Sequence, residues 1–387
     1  MMLRTIRKIC MNHTTRSAHT AAWLAVGAMA LLAAGCAATK PKPQPLEPLT
    51  PKIAGSQAWS QRIEGVQFPL AVTVTPGVFT VAGSDGTVLA VDAQTGREVW
   101  RGQAGAKLAA GVGSDGRFAA VVTRAGELVV FELGAVKWRK ALPARVATAP
   151  LVAGERVFVL GVDRAVQAFD AIDGRKLWAL QRPGDALTLA QGGVLSAFKD
   201  TLVVGQGPRM AGIDPLRGTV RWEVTVGSPR GANEIERLAD LVGPAARVGD
   251  VLCARSFQAA VGCVNAERGV LLWSKTVGGT DGVAADEQFV FAADASDRLT
   301  AWRAGTGDVA WSSDKLQYRG LGAPLVTGKT VVYGDADGTV HWLSRETGEA
   351  QLRMTTDGSA IVAAPVVSGS TMLVVTRNGG LFAFRPQ

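Results

Sequence analysis

The sequence predicts an all-β protein, an eight-bladed β-propeller built from four-stranded antiparallel blades. A Gly-x-x-x-Trp motif recurs along the chain, with leucine in place of tryptophan in its eighth and last copy. Successive copies lie 38 to 51 residues apart, and a period of about 40 residues is typical of propeller blades. Between the copies, polar and apolar residues alternate with a period of two, which favours strands over the helices of a solenoid.

The copies of the motif share a glycine and a large apolar residue four positions later. They are Gly55/Trp59, Gly96/Trp100, Gly134/Trp138, Gly174/Trp178, Gly218/Trp222, Gly269/Trp273, Gly307/Trp311 and Gly348/Leu352. Tryptophans that only filled the cores of unrelated strands would not keep this register. The 46 glycines of the chain agree with it, because a glycine excess without a collagen period indicates many tight turns.

The segment before the first repeat carries an export signal. Its first 20 residues contain basic but no acidic side chains, and a short apolar run follows over residues 21–34. This pattern is typical of a signal peptide, which we assign to residues 1–35. The apolar run is shorter than the roughly 20 residues that cross a bilayer as a helix.

The residues from Leu31 to Cys36 resemble the lipobox of bacterial lipoproteins, which implies that the Cys36 thiol is acylated and becomes the mature N-terminus. An ordinary signal peptide with an incidental cysteine is the alternative. The resemblance points to the outer membrane, because Ala37 stands where an aspartate would indicate inner-membrane retention. Residues 36–54 are rich in proline, and we expect them to form an extended tether.

One repeat illustrates how a blade is built. Asp85 and Gly86 predict a two-residue hairpin, and the strand Thr87–Val91 follows it. A second turn ends at Gly96, which supplies the positive φ that closes the turn. The outer strand then carries Trp100.

The same pattern begins with a small residue in other repeats: Ala168, Gly212, Cys263 and Ala301. We expect a crowded position there, and an indole from a neighbouring blade would explain the crowding.

The two ends of the repeat region predict how the ring closes. Trp59 precedes the first complete blade, whereas the final hairpin, residues 378–384, lacks an outer strand of its own. We expect the segment around Trp59 to pair with this hairpin, because that leaves no unpaired blade at the seam. The propeller domain therefore comprises residues 55–387.

Composition argues against several functions. The formal charge of +8 includes four basic residues of the signal peptide, and the remaining +4 without a basic stripe argues against nucleic-acid binding. His341 is the only histidine after residue 35, which leaves little for a histidine metal site or a Ser-His-Asp triad. We predict a structural role for His341 and no catalytic residue, metal or cofactor.

Two cysteines follow the signal peptide and Cys36. A hairpin turn near Gln258 would place Cys253 and Cys263 on adjacent strands, diagonally offset by about one position. They are either a disulfide or two buried thiols. The oxidising periplasm favours the disulfide, provided that their Cα atoms lie within about 7 Å.

The Ala-x-Asp-x-x-Thr-Gly-x-x-x-Trp pattern, seen from Ala90 to Trp100, resembles the repeats of the pyrroloquinoline quinone dehydrogenase superfamily. That superfamily contains both enzymes and non-catalytic propellers. With its lipobox, Pro-rich tether and eight repeats, the chain is more particularly similar to the BamB family of outer-membrane assembly lipoproteins, which bind the β-barrel insertase BamA.

This resemblance implies a non-enzymatic scaffold of the outer-membrane β-barrel assembly machinery, lipid-anchored at the periplasmic face of the outer membrane. Its implied partners are a BamA-like insertase and other assembly lipoproteins. Exposed blade edges could also pair with unfolded outer-membrane protein strands by β-augmentation. The alternative is a periplasmic quinoprotein dehydrogenase-like propeller that binds a cofactor, and a polysaccharide-binding propeller is a third class.

The longest interval between repeats contains an insertion, residues 233–242, that is similar to an acidic loop of the BamB family. In that family the loop contributes to binding BamA, which implies this role for Arg237 and Asp240. Val242 stands where the family has a second acidic residue. An ion pair between Arg237 and Asp240 that only holds the loop is the alternative.

A second family motif, Leu-x-Leu, matches Leu187 and Leu189, and the arginine that usually follows is replaced by Ala190. The resemblance implies that both leucines bind BamA. Apolar residues on loops are exposed and can mark a partner site. Alternatively, the two leucines form the inward face of the first strand of a blade.

Overall fold

The computed structural model describes residues 41–182, 187–229 and 231–386. In these residues, 32 strands form eight four-stranded antiparallel sheets. The first strands of neighbouring sheets meet around a central channel, so the predicted eight-bladed propeller is confirmed. The predicted signal peptide and Cys36 lie outside the described residues. Within the described part of the chain, no helix has the length and apolar character needed to cross a membrane.

Strand β1 (Gly55–Arg62) precedes the first complete blade. Blades 1 to 4 each contain four consecutive strands. They are β2 (Thr73–Thr75), β3 (Val78–Ala82), β4 (Thr87–Asp92) and β5 (Glu98–Gln103); β6 (Gly113–Ser114), β7 (Phe118–Val122), β8 (Glu127–Glu132) and β9 (Ala135–Ala141); β10 (Leu151–Ala153), β11 (Arg156–Leu160), β12 (Val166–Asp170) and β13 (Lys176–Leu180); and β14 (Leu195–Phe198), β15 (Thr201–Gln206), β16 (Arg209–Ile213) and β17 (Val220–Thr225).

Blades 5 to 7 follow the same plan, and blade 8 combines three C-terminal strands with β1. The remaining strands are β18 (Leu241–Val248), β19 (Val251–Ser256), β20 (Ala260–Asn265) and β21 (Val270–Thr276); β22 (Ala284–Ala285), β23 (Phe289–Ala293), β24 (Leu299–Arg303) and β25 (Val309–Ser313); β26 (Leu325–Thr327), β27 (Thr330–Gly334), β28 (Thr339–Ser344) and β29 (Ala350–Thr355); and β30 (Val366–Ser368), β31 (Thr371–Val375) and β32 (Gly380–Pro386).

The middle strands of each blade are buried, whereas the outer strand is largely exposed. In blade 1, nearly every residue of β3 and β4 is buried, and most residues of β5 are exposed. The middle strands therefore carry nearly continuous apolar runs, because neighbouring blades cover both of their faces. The predicted hairpin at Gly86 joins β3 to β4, and Gly86 has a φ of 101°.

The tryptophan of each repeat packs on the glycine of the next repeat. A Cβ atom on Gly96 would lie 2.5 Å from the indole of Trp59, and Trp59 Nε1 donates a hydrogen bond of 3.0 Å to the carbonyl of Ala93. The same packing recurs at Trp100/Gly134, Trp138/Gly174, Trp178/Gly218, Trp222/Gly269, Trp273/Gly307 and Trp311/Gly348. At the seam, Leu352 packs on Gly55. The motif therefore links the blades into a closed ring.

The small residues of the third strands face an indole of their own blade, not of a neighbouring one. Ala168 lies opposite Trp178, and Gly212 lies opposite Trp222. A Cβ on Gly212 would lie 2.3 Å from that indole. The predicted crowding is thus real, but its assignment to the neighbouring blade is wrong, since the cross-strand neighbour provides it.

The ring closes as predicted. Strand β1 pairs antiparallel with β32, and Trp59 lies opposite Ala383. This pairing gives blade 8 its outer strand and confirms the closure of N-terminal on C-terminal strands.

Residues 43–54, which the sequence assigns to the tether, lie against the propeller. The amide of Gln44 donates a 2.9 Å hydrogen bond to the carbonyl of Gln317, and the amide of Lys52 donates one of 2.8 Å to Gln351. We call this segment the strap. It is extended, but these hydrogen bonds attach it to blades 6 and 7, so it does not hang free.

Arg255, on β19, is wholly buried and ties blade 5 to blade 6. Its guanidinium donates three hydrogen bonds of 2.6 to 2.9 Å to the carbonyls of Gly278, Asp281 and Ala293. Burial lowers the pKa of Arg255 to about 10. Nothing in the local sequence signals this role, because all three carbonyls belong to distant segments.

Gly96→Ala tests the packing between blades. The new Cβ would meet the Trp59 indole, so we expect a loss of about 3 kcal/mol in the free energy of unfolding. Gly77→Ala is the matched control, because Gly77 has a similar positive φ of 76° and no heavy atom near its Cβ position. It should lose only about 1 kcal/mol. Equal losses in urea titrations would contradict the packing role.

Arg255→Met tests the buried guanidinium. The substitution removes a guanidinium that is itself buried and leaves three partly buried carbonyls without their donors, and we expect a loss of about 3 kcal/mol. Arg97→Met, at an exposed position, should change stability by less than about 0.5 kcal/mol. Similar urea midpoints for Arg255→Met and the wild type would show that water replaces the guanidinium.

Candidate partner-binding site

The residues predicted to bind a partner lie on one face of the propeller. In an antiparallel four-stranded blade, the turn between the second and third strands and the connection to the next blade lie at the same end. We call the surface formed by these turns and connections the loop face. Leu187 and Leu189 lie in the connection from β13 to β14, and Asp240 lies in the connection from β17 to β18.

The Leu-x-Leu segment is a loop and not the first strand of a blade. Strand β14 begins only at Leu195, so the inward-facing alternative does not describe Leu187 or Leu189. Leu187 is 37% exposed, whereas Leu189 is half-buried. The hydroxyl of Thr188 donates a 2.9 Å hydrogen bond to the carbonyl of Val162 in blade 3, which fixes the loop between the two leucines.

The structure brings the two predicted loops into direct contact. The amide of Leu189 donates a 3.3 Å hydrogen bond to Asp240 Oδ2. Val242 forms an isolated bridge with Gly193, which follows the leucine loop. Val242 is 1% exposed, so a carboxylate here would be desolvated. This burial explains why valine suits the position where the family has an acidic residue.

Arg164 completes the contact, although sequence patterns did not identify it. It lies in the hairpin between β11 and β12, with a φ of 65°. Its Nη2 atom lies 3.5 Å from both Asp240 Oδ1 and the carbonyl oxygen of Leu187. A guanidinium therefore stands beside these loops even though Ala190 replaces the family arginine. Only the ring geometry brings residues so distant in sequence together.

Arg237 lies apart from this contact, on the exposed insertion. Asn233 Oδ1 accepts a 2.9 Å hydrogen bond from the amide of Glu236, and the Asn233 carbonyl accepts one of 3.1 Å from the amide of Arg237. Among the described residues, Asp240 pairs with Arg164 and not with Arg237. The exposed insertion also presents Ile235, which is 73% exposed and which the sequence patterns did not single out.

The cysteines lie inside blade 5, away from the loop face. Cys253 and Cys263 form a disulfide in the structure, with their Cα atoms 4.0 Å apart. They stand directly opposite each other on β19 and β20. The predicted diagonal offset is wrong because the turn centres on Gln258, which has a positive φ of 51°.

His341 lies in a buried polar cluster. Its Nε2 atom lies 2.9 Å from Asp335 Oδ2, which also accepts a 2.8 Å hydrogen bond from Arg319 Nε. Burial lowers the pKa of His341 against the opposing effect of Asp335. Burial also raises the pKa of Asp335, but hydrogen bonds from His341 and the Thr339 amide outweigh it and hold that pKa below its usual value. These contacts fit the structural role that the sequence predicts for His341.

The central channel has a volume of about 1090 Å³ and opens among the connections of the loop face. Its described lining includes Asp281, Asp294 and Asp297, and its only cationic side chain is Arg377. Burial raises the pKa of Asp281 and of Asp297. Pyrroloquinoline quinone is a tricarboxylate, and this lining does not fit it, because acidic groups outnumber the cation that could pair with it. Among the described residues, no cluster of three histidine, cysteine or acidic side chains could hold a metal.

Comparison with known proteins agrees with the propeller fold. The family model described as outer membrane protein assembly factor BamB matches residues 84–313. The protein of that name from Burkholderia pseudomallei (strain K96243) is 35% identical over 95% of this chain and 98% of its own length. That of Bordetella pertussis (strain Tohama I) is 35% identical over 89% of this chain and 90% of its own.

Solved structures share the propeller. BamB from Moraxella catarrhalis superposes with a TM-score of 0.77 at 23% identity, covering 86% of this chain and all of that one. The quinohemoprotein alcohol dehydrogenase of Comamonas testosteroni superposes with a TM-score of 0.66 at 16% identity, covering 86% of this chain and 76% of that one. At these sequence identities, the superpositions show only that the fold is shared.

Asp240→Ala tests the contact between the loops. The Leu189 amide would lose its acceptor, a hydrogen bond worth about 1 kcal/mol, so we expect about fivefold faster hydrogen exchange in residues 187–191. Asp250→Ala is the control, because Asp250 forms an exposed ion pair with Lys199 elsewhere. Unchanged exchange in Asp240→Ala would show that the leucine loop is held without this carboxylate.

Proposed function

The chain belongs to the family of the outer membrane protein assembly factor BamB, and from this premise we propose that it is a non-enzymatic lipoprotein scaffold of the β-barrel assembly machinery. It binds a BamA-like insertase and assists the insertion of outer-membrane proteins. The observation that carries this proposal is the contact between the Leu187–Leu189 loop and Asp240, because it joins two separate family motifs into one surface on the loop face.

The partner site combines an apolar and a cationic part. Leu187 and Ile235 expose apolar side chains, and Arg237 adds a positive charge on the exposed insertion. Asp240 is only 16% exposed in its side chain and faces Arg164, so it holds the leucine loop and adds little negative charge to the surface. The partner should therefore offer an apolar depression bordered by carboxylates, since buried apolar anchors with a polar rim are common in interfaces.

Anchoring follows from the lipobox resemblance. In this proposal, residues 1–35 are removed, Cys36 is acylated, and the lipid holds the protein at the periplasmic face of the outer membrane. More than one acyl chain is needed, because a single chain gives only marginal membrane binding.

Blade edges supply a second proposed contact, with unfolded strands of outer-membrane proteins. The outer strand of blade 5 exposes three consecutive apolar side chains, Val270, Leu271 and Leu272, each by 42 to 46%. Outer strands of blades also have unpaired backbone groups along one edge. An extended apolar segment could add to this edge through main-chain hydrogen bonds.

Affinity purification from solubilised outer membranes tests the partner site. We expect the wild-type chain to retain a BamA-like barrel, and the double variant Leu187→Ser/Arg237→Glu to retain at least tenfold less. Leu216→Ser/Arg217→Glu is the matched control, since this exposed pair lies in the turn between β16 and β17, on the opposite face. If the barrel is never retained, the partner is wrong. If Leu187→Ser/Arg237→Glu retains as much of the barrel as the wild type and the control variant do, the assignment of the site is wrong.

A further inference from the structure

The strap is attached to the propeller along its whole length. Near its start, the carbonyl of Gln44 accepts a 3.3 Å hydrogen bond from Arg319 Nη1, in addition to the hydrogen bond that the Gln44 amide donates to Gln317. In the middle, the carbonyl of Glu47 accepts one of 3.2 Å from Arg353 Nη1. At the far end, the hydrogen bond that the Lys52 amide donates to the carbonyl of Gln351 holds the strap.

Apolar contacts strengthen this attachment. Leu46 packs against the core of blades 6 and 7, which includes Phe291 and Leu316, and Ile53 packs against the core shared with blade 8. Two ion pairs also join the strap to the propeller, Lys315–Glu47 and Lys52–Glu349. Both are exposed, and exposed ion pairs add little to the free energy that holds a segment in place. Burial of the two apolar side chains is therefore the main attraction.

The start of the strap is held by a rigid group. Arg319 is 7% exposed and donates to Asp335, whose side chain is fully buried, and to Asp337. Because this guanidinium is fixed on two carboxylates, its bond to the Gln44 carbonyl sets where the chain joins the propeller.

That position lies on the loop face. Gln317 and Arg319 belong to the connection from β25 to β26, and Asp335 and Asp337 belong to the turn between β27 and β28. Connections between blades and turns between second and third strands lie at the same end of the blades as Leu189 and Asp240. Lys52, in contrast, lies near the opposite face. It pairs with Glu349, which belongs to the turn between β28 and β29, the third and fourth strands of blade 7. The strap thus runs from the loop face to the opposite face.

The attachment also limits how far the propeller can lie from Cys36. An extended chain covers at most about 3.6 Å per residue, so residues 36–54 could reach about 65 Å if they were free, whereas residues 36–44 reach only about 30 Å. We propose that the strap turns the loop face towards the membrane that holds the acylated Cys36. The lipid surface and the partner site then lie on the same side of the propeller. This inference rests on the proposed lipid anchor.

Energy transfer in vesicles tests this orientation. The full-length acylated protein is reconstituted into phosphatidylethanolamine/phosphatidylglycerol vesicles that contain an acceptor-labelled lipid. A donor is attached at Ala125→Cys, in the hairpin between β7 and β8 on the loop face, or at Leu133→Cys, in the turn on the opposite face of the same blade. We expect higher transfer from position 125 than from position 133. Equal or reversed transfer overturns the orientation.

Leu46→Asp then tests the strap itself. A carboxylate at this partly buried, apolar position should release the strap, which faster hydrogen exchange in residues 44–53 would report. The difference between positions 125 and 133 should then disappear. Thr50→Asp is the matched control, because it adds the same charge at an exposed strap position and should preserve the difference. A released strap with an unchanged difference overturns the proposal.

The two proposals fail in distinguishable ways. If the full-length protein does not float with the vesicles, the lipid anchor is wrong and the orientation falls with it. If it floats but both labels give equal transfer, only the orientation is wrong. Retention of a BamA-like barrel is measured separately and does not depend on either label.

Discussion

The contact between the outer-strand indole of one blade and the turn glycine of the next is the constraint on which the rest of the structure depends. Trp59 packs on Gly96 so closely that any side chain at Gly96 would collide with the indole. The glycine also adopts the positive φ that its turn requires, so one residue serves both the hairpin and the blade interface. Because Leu352 makes the same contact with Gly55 at the seam, the interfaces form a closed ring without an exposed end.

A ring stabilised in this way leaves its connections free to vary. The loop face therefore holds the features that depart from the repeat: the Leu187–Leu189 loop, the insertion before Asp240, and Arg164 between them. Arg164 lies in the hairpin between β11 and β12, and its contacts with Asp240 and the Leu187 carbonyl hold the leucine loop beside the insertion. The fold and the proposed partner site are thus built from different residues, in keeping with the rule that one fold can carry different functions through its loops.

The strap belongs to the same division of roles. Its apolar side chain Leu46 packs against the core of blades 6 and 7, and Arg319 ties its start to the buried carboxylate of Asp335. The segment adds no strand to the sheet, yet it decides at which face the chain reaches the propeller. A feature outside the repeat therefore relates the proposed anchor to the proposed partner site.

The sequence by itself determined the blade number, the hairpin at Gly86 and the pairing of the Trp59 segment with the last hairpin, because turn glycines and alternating strands are signals within one repeat. It also placed Asp240 and Leu189 in the candidate site through family motifs. Only the tertiary structure decided that these two residues touch and that Arg164 joins them. It likewise decided the role of Arg255 and the attachment of the strap. These contacts join segments of different blades, and a local pattern carries no signal for a distance that the closure of the ring sets.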